Sequence, residues 1–177
     1  MSKLSIAVNN KDHIQGDPHA ELVLVEYGDY QCPSCGDAYP IVKRLQKHFG
    51  ERLAFVFRNF PLTEIHPWAE PASEAAEFAA AHDKFWEMHD LLYENQENLS
   101  DELFSSLAKK LKLSPGDLEE AVANQAYGSH IQADFTGGVR SGVNGTPTFF
   151  LNGERYDGIK DYQSLAAAIE TLAQSTL

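Results

Sequence analysis

The 177-residue chain is 43% hydrophobic and 23% charged, which is enough for one well-buried core and little for two. Fourteen Lys and Arg against 26 Asp and Glu leave a net charge of −12, so a nucleic-acid backbone and an anionic membrane surface are both repelled, and neither is expected as a partner. Ten Phe, seven Tyr and two Trp among periodic aliphatic residues exclude a disordered acidic tail.

The opening stretch from Met1 to Asn10 lacks the apolar run of about 7–15 residues that a signal peptide requires, and no segment approaches the roughly 20 apolar residues of a membrane span. The chain as written is therefore expected in the cytoplasm, or in the periplasm if a leader has been removed. Residues 1–15 read as a loose arm. Leu22 to Gly28, Leu-Val-Leu-Val-Glu-Tyr-Gly, is a short β-branched run that suits a central strand. Its interior charge is Glu26, read either as a buried acid or as an edge-strand side chain reaching solvent. From Cys32 onward Tyr39, Val42, Leu45 and Phe49 recur at helical spacing until Gly50, with Pro40 expected to kink the helix.

Leu53 to Phe57 is a second buried strand, completing a strand-helix-strand unit. From Pro61 to about Phe135 only helical patterns follow, over 72–82, 85–94, 101–111 and 117–123. Ser114-Pro115-Gly116-Asp117 supplies an N-cap, a proline at the first helical position and an acid at the third. The Gly137-Gly138 and Gly142 to Gly145 stretches lack any phosphate-binding fingerprint and read as turns. Thr148 to Leu151 and Glu154 to Tyr156 flank Asn152-Gly153, a hairpin signal, and a closing helix starts at Asp161. The order is βαβ, helices, ββα, an α/β fold with residues 61–135 inserted between two halves, 1–60 and 136–177.

Cys32 and Cys35 are the only cysteines, and a bridge between them closes too short a loop to stabilise the fold by more than about 2 kcal/mol. A zinc site of the usual kind would need a second cysteine pair; none exists, so no metal is expected. Two inert buried thiols would sit oddly behind polar Asp29, Tyr30 and Gln31. A thiolate at a helix N-terminus instead faces unpaired N–H groups and the positive end of the dipole, which lower its pKa. Cys32 is then the nucleophile, and Cys35, one turn on, is the resolving thiol.

Val25-Glu-Tyr-Gly-Asp-Tyr-Gln-Cys-Pro-Ser-Cys35, the helical insertion, and Gly145-Thr146-Pro147-Thr148-Phe149 ahead of the hairpin occur in that order. Over residues 16 to 174 the chain thereby resembles the DsbA family of thioredoxin-fold thiol-disulfide oxidoreductases. The resemblance implies a cis peptide at Thr146-Pro147, with substrate peptide pairing to the backbone of Thr146. It also implies that Glu26 is a buried acid able to take the proton of the resolving thiol. Pro33 and Ser34 would tune the potential; strongly oxidising members carry His at the position of Ser34, so a less oxidising disulfide is expected.

The expected partners are protein or peptide thiols and disulfides, glutathione and a redox partner protein, with no cofactor beyond the Cys32-Cys35 pair. The rival readings are a glutathione-dependent transferase or isomerase on the same scaffold, and a peptide-binding module without catalysis. Tyr30 and Trp68 fit a peptide groove or core packing, and Arg58 a neutralised acid or a solvated strand end.

Overall fold

The computed structural model describes residues 2–175. Five strands form one sheet in the order β1-β3-β2-β4-β5: β1 (His13–Gln15), β2 (Leu22–Gly28), β3 (Leu53–Asn59), β4 (Thr148–Leu151) and β5 (Glu154–Tyr156). β2 and β3 are parallel, in register from Leu22 opposite Leu53 to Gly28 opposite Asn59, and every other pairing is antiparallel. β2 is therefore the central strand, with neighbours on both sides.

The crossover from β2 to β3 is α1 (Pro33–Phe49), which stays continuous through Pro40 and ends at Gly50, a glycine with φ of 56°. Between β3 and β4 lie α2 (Ala69–Ala80), α3 (Phe85–Glu94), α4 (Asp101–Lys110), α5 (Pro115–Ala123) and α6 (Gly128–Arg140); α7 (Tyr162–Ser175) closes the chain. Ser100 caps α4 and Ser114 caps α5 by accepting from the Leu103 and Asp117 N–H groups.

Alternation along the strands divides the core. Leu22, Leu24, Phe55, Phe57 and Phe149 face one side, where they pack with Leu45 of α1, Leu165 of α7 and Met88, Leu92 and Phe104 of the helical block. Val25, Tyr27, Val56 and Phe150 face the other, under Phe60, Val143 and the half-buried Leu4, Val8 and Phe135. The first of these two clusters joins the sheet to the helical block.

Three expectations need correction. The segment ahead of the first strand is not a loose arm: Leu4 N–H donates to Gly153 O, Ser2 O accepts from Arg155 N–H, and β1 pairs with β3. Gly137 and Gly138 are helical, within α6, so the limit drawn between residues 135 and 136 falls inside one helix. A Cβ at Gly138 would stand 2.8 Å from the Phe60 ring and 2.9 Å from Tyr27. These glycines therefore let α6 close onto the sheet rather than end it. Gly142, with φ of 87°, makes the turn that follows.

Candidate active site

β2 delivers the chain to a turn organised by the buried Asp29. Its Oδ1 accepts from the N–H groups of Gln31 (2.7 Å) and Cys32 (3.2 Å), while Oδ2 accepts from Leu62 N–H (2.9 Å) and pairs with His66 Nδ1 (2.8 Å). The turn ends with Cys32 at the N-cap of α1 and Pro33 in the first helical turn, where its missing N–H costs nothing. Cys35 is fully buried on the inner face, whereas Pro33 and Ser34 are exposed.

The peptide bond between Thr146 and Pro147 is cis, and the Cys32 thiol stands 3.5 Å from Thr146 O. Two segments far apart in sequence, the cysteine turn and the loop entering β4, therefore meet at one sulfur. The Cys32 thiol is pulled down to about 5, first by the Cys35 thiol donating to it and against its own burial. The N–H groups of Cys35 and Ser34 assist. Burial, the bond to Cys32 and the charge of Glu26 push Cys35 well above the ordinary thiol range. The pair is thus one thiolate and one thiol that solvates it.

Glu26 lies on the same face of β2 as Leu22 and Leu24, beneath the cysteines, and its Oε2 is buried without a hydrogen-bond partner. On a central strand it has no route to solvent, which removes the edge-strand reading. Desolvation first, and then the Cys32 charge, raise its carboxyl to about 8; Lys160 acts in the opposite sense. Gly28 keeps this pocket open, because a Cβ there would meet Glu26 Oε2 at 2.8 Å and the Phe57 ring at 2.5 Å.

Two further residues support the site and escaped the sequence reading. Lys160 Nζ donates to Pro147 O at 2.6 Å, holding the cis-proline loop from the segment before α7. Gln96 Nε2 donates to Tyr30 O (3.0 Å) and Cys32 O (2.7 Å), tying the helical block to the cysteine turn. Both act on backbone carbonyls, so no side-chain pattern marks them. Tyr30 is core, fully buried with its OH 2.9 Å from His89 Nδ1, and Trp68 is half-buried against Phe104. Arg58 is buried and forks onto Asp12 at 2.8 and 2.9 Å, a neutralised acid rather than a solvated strand end.

The chain matches the thioredoxin family model over residues 8–171. It is 26% identical to BdbD from Bacillus subtilis, covering 98% of this chain and 97% of that one with a TM-score of 0.86. The α-DsbA1 of Wolbachia pipientis is 19% identical, with a TM-score of 0.82 and coverage of 97% and 95%, a likeness of fold. Over 94% of its length the chain is also 40% identical to a Na(+)/H(+) antiporter NhaA 1 of Salinispora arenicola, spanning 26%, about a quarter, of that protein. The paired thiols at the helix start, the loop that meets them and the family match together place this chain in the thioredoxin family, among proteins similar to the DsbA-like thiol-disulfide oxidoreductases.

Proposed function

We propose that the chain exchanges disulfides with protein thiols, with Cys32 as nucleophile and Cys35 as resolving thiol. The observation that carries this reading is the asymmetry of the pair: Cys32 is held near 5 at the helix start while Cys35, beside it, is pushed well up. The Cys32 thiolate attacks a substrate disulfide, forming one S–S bond to the substrate and releasing one substrate thiolate. Cys35 then loses its proton to Glu26 and attacks Cys32 Sγ. The second substrate thiolate leaves, and the Cys32–Cys35 bond carries away the oxidising equivalent. Run backwards, the same steps oxidise a substrate dithiol.

Thr146 and Pro147 serve as the backbone platform for an extended substrate, as Thr146 O lies against the reacting sulfur. Ile65 and Ile159, 67% and 71% exposed, adjoin in sequence His66, which bonds the cysteine turn, and Lys160, which bonds Pro147 O, and supply apolar contact for a substrate there. A partner dithiol or glutathione returns the pair to its starting state. No helix among the described residues is long and apolar enough to cross a membrane.

The test is trapping. Cys35→Ser is expected to accumulate a mixed disulfide through Cys32, visible by mass, while Cys32→Ser forms none. A Cys32→Ser protein that still reduces a peptide disulfide would overturn the reading.

A further inference from the structure

Away from the cysteines, one other cluster of metal-ligating side chains stands among the described residues: His13 on β1, Glu77 on α2 and His130 on α6. Their donor atoms all lie within 4.8 Å of one another. His13 Nε2 is 3.0 and 2.9 Å from the two Glu77 oxygens, and His130 Nε2 is 3.6 Å from Glu77 Oε1. Asp134 Oδ2 stands 3.5 Å from His130 Nε2. Donors at about 2.0–2.2 Å from a tetrahedral ion are roughly 3.3–3.6 Å from each other, so these separations approach those of a filled coordination sphere.

The surroundings hold the donors in place. Asn59 Nδ2 donates to Glu77 Oε2 (2.9 Å) and to Asp134 Oδ2 (3.0 Å), and Asn59 N–H donates to the same Asp134 oxygen (2.9 Å). The His13 ring stacks on Phe85 at 3.7 Å between centroids with 8° between planes. Glu77 is the buried member, and His13 is half-buried. The His130 side chain is 31% exposed beside a surface cavity that it lines with Asp134, Asp12 and Arg58, which gives an ion a route in and His130 room to turn toward it.

We propose that His13, Glu77 and His130 bind one divalent cation of the Zn2+ class, with the fourth position open toward Asp134. Two imidazoles with one carboxylate favour a borderline cation over Ca2+ or Mg2+, which take oxygen ligands. The ion would tie α2 and α6 of the helical block to the edge strand β1, so that binding and folding are linked. The ligands come from three separate elements, which explains why no spacing motif announces them.

The experiment uses the oxidised protein, whose Cys32–Cys35 bond removes the thiols from competition. After treatment with EDTA and its removal, calorimetry with Zn2+ is expected to show one equivalent bound, with Tm rising as Zn2+ is added. Co2+ should give the visible bands of a four-coordinate site and no thiolate charge-transfer band. His130→Gln, at a half-exposed helical position, and Glu77→Gln should each weaken binding at least about tenfold, as loss of a ligand must exceed loss of its supporting shell. His130→Gln with unchanged far-UV circular dichroism keeps the test decisive if Glu77→Gln fails to fold. No Zn2+ uptake, Ca2+ binding in its place, or equal affinity in folded His130→Gln would overturn the proposal.

Discussion

Two buried glutamates, Glu26 on β2 and Glu77 on α2, show how differently one side chain can be housed. Glu77 accepts from His13 and Asn59, has His130 close by, and is held below the ordinary carboxylate range by those partners despite its burial. Glu26 has an oxygen with no partner and is raised to about 8. A buried carboxylate surrounded by donors is a fixed charge that joins elements together, whereas one left alone is a proton reservoir. The first belongs to the architecture and the second to the chemistry.

Replacing each carboxyl should therefore move stability in opposite directions, and this is the largest effect expected. Glu77→Leu, measured by urea unfolding in chelator, should lose about 3–5 kcal/mol, because it strands buried donors. Glu26→Gln should gain on the order of 3 kcal/mol at pH 7. The sign follows from a folded value near 8 against an ordinary 4.5: the protonated form is favoured in the fold, so stability present below 4.5 is lost as pH rises toward 8. The gain should vanish by pH 4; a gain independent of pH would show that Glu26 titrates alike in the folded and unfolded states, without the upward shift.

The same Glu26→Gln change should slow release of the mixed disulfide about 100-fold, read by stopped-flow fluorescence or quenched mass analysis, while leaving the first attack intact. Equal slowing of both steps would make Glu26 a structural residue only. A smaller effect concerns the nucleophile alone. Cys32 alkylation should be flat above pH 6 and fall about tenfold per unit below the midpoint near 5, so a midpoint near 8 would remove the thiolate asymmetry.

The smallest expected change is in potential. A thiolate near 5, against about 7 in thioredoxin, stabilises the reduced form and places the couple roughly 50 mV above thioredoxin, on the order of −220 mV. Ser34→His should raise it by about a further 30 mV in glutathione equilibration, the equivalent of one more unit of thiolate stabilisation.

The sheet's central strands and the cysteine helix were legible because buried β-branched runs, a proline after the cap and a terminal glycine are local signals. β1 was not, since His13-Ile14-Gln15 is too short for a period and is defined by its pairing to β3. Nor was α6, whose glycines read as breakers until Phe60 and Tyr27 are seen to occupy the space. At the site, Cys32, Cys35, Glu26 and Pro147 carry motif or strand-position signals. Lys160 and Gln96 do not, because each acts on carbonyls supplied by a distant part of the chain.

The Gln96 contact ties the history of two positions together. Gly36 sits where any Cβ would collide with the Gln96 amide that holds the carbonyls of Tyr30 and Cys32. An alanine at 36 is tolerable only after 96 has shortened or turned away, and a glutamine at 96 only while 36 stays bare. Descendants of this chain should therefore change the two positions together, so that co-variation across the gap between α1 and the helical block would record the docking of the insertion onto the active-site turn.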